Sequence, residues 1–265
     1  MKSSPESARA PLVRLIGFPE LPQPLCLSSP FTSRRRSLPR DSNDKGLGRE
    51  RQLLVRGASS LGIDLSMAQV DAFLGYLKLL MHWNLRINLT SICEPERIIR
   101  LHFLDSLAIF HSIDREGRMM DMGSGAGFPG IPIKIIYPEK EVYLFEARRK
   151  RSSFLHEVKR KLNLQGLGIC TSRVETIEPT KTGPFDEAVT RATLKIHDFL
   201  RLSGPFLRLG GKALMMAGPK GIRDYDDQKV KDEASVLGFH SSQIITYNLP
   251  LGSEKRSLLT YMKEG

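Results

Sequence analysis

Three observations predict an α/β fold: a mainly parallel sheet with helices on both faces and a small helical cap ahead of it. From residue 118 onward, short strand candidates alternate with helical stretches, the pattern of βαβ units. Before that point, one long apolar stripe at helical spacing dominates. Directly after the first strand candidate comes a glycine-rich bend that opens a helix.

The elements follow in order. Residues 1–48 hold seven of the sixteen prolines, several serines and the run Arg34-Arg35-Arg36, with no sustained period of 3.6 or 2, so this extension is expected to be disordered. Its arginines and serines suit a transit peptide, but Glu6, Glu20 and the lack of an amphipathic stripe speak against one. Plain solvated charge is preferred over an RNA-binding arm.

Residues 49–116 read as a helical cap. It begins with Arg49 to Leu61. A capping box, Ser66 with Gln69, then opens a helix on which Val70, Phe73, Leu74, Leu77, Leu80 and Met81 form one apolar stripe. Asn88-Leu89-Thr90 breaks the pattern, two shorter helices are expected near Pro95 to Arg100 and Phe103 to Ser112, and Asp114 to Gly117 is the closing turn.

Residues 117–265 carry the alternation. Strands are expected at Arg118 to Met122, Val142 to Glu146, Gly168 to Thr171, Glu187 to Thr190, Lys212 to Met216, Gln243 to Tyr247 and Ser257 to Met262. Helices are expected near 129–137, 148–163, 195–203 and 222–236. The last two strands have no helix between them, which predicts an antiparallel hairpin.

Composition narrows the partners. A chain of 265 residues, 40% hydrophobic and 26% charged, can bury one sizeable core. No run approaches the roughly eighteen apolar residues of a membrane span. The net charge is +11, and residues 1–50 hold nine Lys or Arg against five Asp or Glu, so +7 belongs to the remainder. Such an excess favours a polyanionic partner such as nucleic acid or an anionic membrane surface. Cys26, Cys93 and Cys170 are far apart and match no zinc spacing, which points to a reducing cytoplasm, no disulfide framework and no metal.

The strongest local signal is Asp121-Met122-Gly123-Ser124-Gly125-Ala126-Gly127-Phe128-Pro129-Gly130. Gly125, Gly127 and Gly130 satisfy the GxGxxG of a dinucleotide site. Gly123, Gly125 and Gly127 equally satisfy the GxGxG of a methyltransferase loop, where small residues leave room for an adenosyl and a methionyl group. Asp121 decides between them, because a carboxylate there suits a sulfonium and an ammonium and would repel a pyrophosphate. Pro129 fits the first turn of the next helix. Glu146, twenty-one residues after Gly125 at the end of the second strand, can accept hydrogen bonds from both hydroxyls of a ribose.

The acceptor is read from what is missing. The end of the fourth strand reads Val189-Thr190-Arg191-Ala192, without the Asn/Asp-Pro-Pro-aromatic turn that goes with methylation of adenine or cytosine amino groups. Neither Cys93 nor Cys170 has the setting of a pyrimidine-C5 nucleophile. A guanine N7 needs neither device, since its in-plane lone pair is unprotonated at neutral pH. No general base is required, and proximity and alignment supply most of the rate. N7 of a paired base lies in the deep, narrow major groove of RNA, so the target should be unpaired or splayed out.

These residues closely resemble the bacterial 16S rRNA guanine-N7 methyltransferase family RsmG, also called GidB. The resemblance runs from about residue 53 to 262. It rests on Trp83-Asn84, Ile87-Asn88-Leu89-Thr90, His102-Phe103-Leu104-Asp105-Ser106, Asp121 to Pro132, Lys150-Arg151-Ser152-Ser153-Phe154-Leu155, Ser172-Arg173-Val174-Glu175, and Phe185-Asp186 with Thr190-Arg191-Ala192.

The resemblance implies a Rossmann-like class I methyltransferase fold with a seven-stranded mixed sheet, and S-adenosyl-L-methionine as cofactor. It implies N7-methylation of guanine-527 (bacterial numbering), in the 530-loop of 16S ribosomal RNA, with the RNA or the small ribosomal subunit as partner in the cytoplasm. It places cofactor contacts at Gly123, Phe128, Val174, Glu175 and Arg191, with Glu146 at the ribose.

On the residues themselves, Val174 and Glu175 follow the third strand, where an apolar wall and an acceptor for the adenine amino group are wanted. Arg191 could hold the cofactor carboxylate or an RNA phosphate; Arg173 is a second positioning candidate. Donation from Arg191 to guanine O6 would withdraw density from N7 and is disfavoured.

Two departures stand out. Where the family often has Leu-Lys-Gly after the fifth strand, this chain has Met216-Ala217-Gly218-Pro219-Lys220-Gly221, so Lys220 is the stand-in for that lysine. Residues 1–48 have no counterpart in the family, which favours a misplaced start codon.

Other residues carry both bland and functional readings. Arg148, Arg149, Lys150 and Arg151 with Lys159, Arg160 and Lys161 put one basic face on a helix, either solvated or on RNA phosphates. Arg148, Arg149, Arg173 and Lys220 are the RNA-contact candidates. His102 and Asp105 are expected to form a local hydrogen bond rather than line the substrate mouth, and Trp83 to be core rather than a base-stacking ring. Two other function classes stand beside the methyltransferase: an NAD-dependent oxidoreductase using GxGxxG, and a non-catalytic rRNA-binding assembly factor.

Overall fold

The computed structural model describes residues 47–191, 194–218 and 228–264. Seven strands form where the alternation placed them: β1 Arg118–Met122, β2 Glu141–Phe145, β3 Leu167–Cys170, β4 Phe185–Arg191, β5 Leu207–Ala217, β6 Phe239–Asn248 and β7 Lys255–Lys263. They make one sheet in the order β3-β2-β1-β4-β5-β7-β6. β1 to β5 run parallel. β7 is antiparallel to both neighbours and forms the expected hairpin with β6. This seven-stranded mixed sheet is the Rossmann-like class I methyltransferase arrangement.

Period-two alternation divides the core in two. Met119, Val142, Leu144, Val189, Leu214 and Leu258 face one side, with the cap and with α5 Gly130–Ile136 and α6 Arg149–Leu162. Met120, Phe145, Ala188, Ala213 and Leu259 face the other. That face is covered by two helices, Ile196–Ser203 and Gln228–Val236. The short helix Pro179–Thr182 has no periodic signal to announce it.

In the cap, α1 is Gly48–Ser60 and α2 is Met67–Asn84. The capping box at Ser66 is present, with Gln69 N donating to Ser66 Oγ and the Gln69 side chain accepting from Ser66 N. Val70, Phe73, Leu74, Leu77 and Leu80 are buried as the stripe requires, but so is Tyr76, off the stripe.

The two short helices expected next are instead one continuous run: α3 Pro95–Ile98, a π-helical turn Ile99–Leu104, and α4 Asp105–Leu107. Neither glycine nor proline stands between Arg100 and Phe103, so nothing breaks it.

Two further differences are local. β5 starts five residues earlier than expected because a register shift opposite Phe185 and Glu187 absorbs the Gly210-Gly211 pair. Pro129 is the cap residue of α5 rather than part of its first turn. Lys220, residues 1–46 and the first part of the 222–236 stretch lie outside the described residues.

Candidate active site

The strand order reverses between β1 and β4, and ligands of open α/β sheets bind beyond the C-terminal ends of the strands at such a point. The bend after β1 occupies it. Gly123, Gly125 and Gly127 have φ of 72°, 59° and 95°, conformations that only glycine adopts without cost. A Cβ on Gly127 would lie 2.3 Å from Ile131 Cδ1, whereas one on Gly125 meets nothing closer than Arg151 Nη1 at 3.7 Å. Packing therefore demands Gly127, and backbone conformation demands Gly125.

The bend is pinned from both sides. Gly123 N donates to Phe145 O at 3.0 Å, and the Tyr76 hydroxyl of α2 donates to Ala126 O.

Asp121 lies beneath this bend, wholly buried. Its Oδ2 accepts from Gly130 N at 2.8 Å, so the carboxylate organises the start of α5 and is withdrawn from the open cleft. Its Oδ1 has no hydrogen-bond partner. Burial pushes its pKa up to about 7, against the pull of the Gly130 N–H and Arg191.

The cleft itself has a volume of about 330 Å³ and is lined by Gly123, Glu146, Arg148, Arg151, Arg173, Val174 and Glu175, with Met122, Phe145, Leu194 and Leu202 as apolar walls. That is room for a nucleoside-sized ligand. Glu146 Oε1 accepts from Arg148 N at 2.8 Å, while Oε2 keeps only a long ion pair with Arg151 Nη1 at 3.8 Å. A fixed carboxylate at the end of β2 can thus still accept from a ribose. Val174 begins a 3₁₀ turn after β3 and presents its side chain to the cleft.

Arg191 and Phe128 belong to a different place. Arg191 ends β4 and, with Ile92, Leu101, His102, Asp105, Met216, Ala217, Gly218 and Arg256, lines a second cavity of about 490 Å³. Its guanidinium donates to Leu101 O (3.3 Å), Asp105 Oδ2 (3.4 Å) and His102 Nδ1 (3.3 Å). It lies 4.9 Å from the centroid of the Phe128 ring. Phe128 is buried between Tyr76, Phe103 and His102, the last stacked at 4.8 Å.

A guanidinium only donates, so His102 Nδ1 is the acceptor and Nε2–H donates to Thr90 Oγ1, 2.7 Å away. Burial and Arg191 lower the His102 pKa to about 3. The imidazole is neutral and both its nitrogens are engaged.

The expected bond between His102 and Asp105 is therefore not made. Each is turned to Arg191, and both line the second cavity. The pairing was missed because Arg191 is 86 residues from Asp105 in sequence. Tyr76 and Arg256, also missed, carry no spacing signal that ties them to the loop.

Trp83 is half-buried and packs on Phe154 at 5.8 Å. Arg149 is exposed on α6, outside the cleft lining, and Arg160 of the same helix is bound to Glu157. Among the described residues, no three His, Cys, Asp or Glu are grouped to hold a metal. None of the described helices is long and apolar enough to cross a membrane.

Sequence matches to known proteins identify the family. The family model GidB, rRNA small subunit methyltransferase G, matches residues 69–258. Ribosomal RNA small subunit methyltransferase G of Acetivibrio thermocellus is 36% identical over 216 residues, 80% of this chain and 88% of that protein. Its counterpart in Geobacter metallireducens is 36% identical over 209 residues, 79% of this chain and 94% of that one. Among solved structures, TrmN from Thermus thermophilus is similar at a TM-score of 0.48 and 14% identity, covering 62% of this chain and 53% of its own. M. jannaschii TYW2, solved in complex with AdoMet, is similar at 0.45 and 18%, covering 57% and 69%.

The dinucleotide and non-catalytic readings are set aside by the sequence matches, which reach from the cap helix that holds the glycine bend to the last strand: the chain belongs to the rRNA small subunit methyltransferase G family and is an S-adenosylmethionine-dependent rRNA methyltransferase.

Proposed function

We propose that the protein methylates N7 of guanine-527, in the 530-loop of 16S ribosomal RNA, with the cofactor in the cleft beside the glycine bend and the guanine in the adjoining cavity. The observation that carries this reading is the state of the second cavity. Its imidazole is neutral with both nitrogens engaged, and its carboxylate, though burial raises its pKa, is held in ion pairs with two guanidiniums rather than left free to take a proton. A guanine N7 needs no proton removed, whereas an amino group must lose one. Alignment of the acceptor is then the main contribution this chain has to make.

The cleft supports S-adenosyl-L-methionine. When bound, it supplies a methyl group on a positively charged sulfur. Glu146 would accept from the ribose hydroxyls, Val174 and Glu175 would wall and hold the adenine, and Gly123 would give close backbone approach. Gly125 and Gly127 shape the bend, and Asp121 acts through its field from beneath. Phe128 supports the second cavity from behind. Arg191 and Arg173 would position the acceptor, one inside the cavity and one at the rim of the cleft.

Exposed Arg148, Arg149 and Arg173, with Lys220, would meet RNA phosphates. Residues 117–265 act as the cofactor-binding domain, and 49–116 as a cap that contributes His102 and Asp105 to the acceptor cavity. The protein works where ribosomes are assembled, in the cytoplasm. Mass spectrometry of 16S rRNA from a strain lacking the gene tests the substrate: 7-methylguanosine should disappear from the 530-loop, and its persistence refutes the assignment.

A further inference from the structure

The second cavity holds one polar atom whose engagement is incomplete. Asp105 is 94% buried as a side chain by its 6% exposure, and its Oδ2 accepts from Arg191. Its Oδ1 has no hydrogen bond of ordinary length and is held by a long ion pair with Arg256 Nε at 3.5 Å. A buried carboxylate oxygen left in this state is costly unless a donor arrives. Arg256 already offsets part of that cost as an ion pair, and a donor entering the cavity can offset more, because Asp105 is part of its wall.

The chemistry of the partner follows. A guanine carries two donors side by side on its Watson–Crick edge, the N1–H and the 2-amino group, and a carboxylate accepts from both. Adenine presents a lone pair at N1, which the carboxylate repels. N7 lies on the opposite side of the purine from the 2-amino group, so a base held by that edge keeps N7 free. We infer that Asp105 is the specificity residue that reads the N1–H and 2-amino edge of the acceptor guanine. This rests on the N7 reading above and adds the residue that selects guanine.

Arg191 and Arg256 position the carboxylate from either side. They also oppose the rise in pKa that burial imposes on it, favouring the ionised form that only accepts. His102, anchored to Thr90, keeps Arg191 in place.

The test compares ribosomal RNA carrying guanosine or inosine at the target position. Inosine keeps N7 and N1–H and lacks only the 2-amino group. Losing a hydrogen bond to a charged acceptor should lower kcat/KM for inosine by about tenfold to a hundredfold in the wild-type protein. Asp105→Asn should bring the two substrates within about threefold of each other, since the amide cannot accept from both donors. Its binding of S-adenosylhomocysteine, measured by calorimetry, should stay near wild type and report that it folds.

Equal rates on the two RNAs with wild-type protein overturn the inference. So does a D105N protein that is slower but equally selective, because RNA structure alone would then explain the preference. If D105N does not fold, the wild-type comparison decides. Failure of the wild-type protein to form 7-methylguanosine on the guanosine RNA is a separate result, which overturns the function on which the inference rests.

Discussion

Gly125 and Gly127, two residues apart, illustrate how single residues work in this site. Gly125→Ala places a methyl in ordinary contact with Arg151 Nη1, without a clash, so its cost is the left-handed backbone, about 1 kcal/mol. Gly127→Ala adds a clash with Ile131 and Tyr76 in the core, and should cost about 2–4 kcal/mol. Thermal unfolding should rank them in that order, and equal Tm values would contradict the packing role of Gly127.

His102 gives a pH dependence with a definite sign. Its pKa is about 3 in the folded protein against 6.5 for the free side chain. The unfolded chain therefore binds more protons between these values, and the stability from neutral His102 is complete above about pH 6.5 and is lost as pH falls towards 3. Asp121, raised by burial to about 7, has the opposite slope: its contribution is present in acid and is lost as pH rises through 7. Urea unfolding at pH 7 and pH 4.5 should show wild type losing up to about 2–3 kcal/mol more than His102→Gln. An unchanged difference would mean that His102 is charged in the native state.

At this scale the glycine bend was legible because its parts are adjacent in sequence. The Arg191, His102 and Asp105 cluster was not, because strand β4 brings its arginine to a cap residue from 86 positions away.

Between elements, the cap and the sheet are joined by an ion pair buried on both sides. Lys140 Nζ is 2.8 Å from Glu187 Oε2, with both side chains fully buried. The same ammonium donates to Asp114 O and Glu116 O, and Glu187 Oε1 accepts from Asp114 N. The pair therefore clamps the turn that leads from the cap into β1. Glu187→Ala leaves a buried ammonium short of its counter-charge and should cost about 3–5 kcal/mol, measured by urea unfolding with Trp83 fluorescence as the probe. A cost under about 1 kcal/mol would show the clamp to be dispensable.

Element existence was readable from period and turn residues, as the matching positions of β1 to β7 show. Boundaries were less so, because the β5 irregularity at Gly210-Gly211 and the π-helical turn at Ile99–Leu104 are settled by packing against β4 and the cap core. The π-helical turn carries His102 and leads directly into Asp105, and such turns recur at functional sites.

For the whole molecule, the +11 charge and the exposed arginines around the cleft predict a salt-dependent association with RNA. If they meet phosphates, the logarithm of the RNA-binding constant should fall linearly with the logarithm of salt concentration, by about 0.7–0.9 per phosphate contact. Replacing Arg148 and Arg149 together by Ala should reduce that slope by about 1–2. A slope unaltered by the double change would place the RNA on another face. Charge was visible in composition, but which arginines flank the cleft became visible only once β2, β3 and α6 were assembled.

The central claim is that a cofactor cleft beside the glycine bend and a guanine cavity around Arg191 and Asp105 act together. Transfer of labelled methyl groups from S-adenosylmethionine to small ribosomal subunits or their 16S rRNA, followed by mapping of the modified atom, tests it most directly. The label should appear on N7 of one guanine in the 530-loop. Label on an exocyclic amino group, on another base, or on no RNA at all would contradict it.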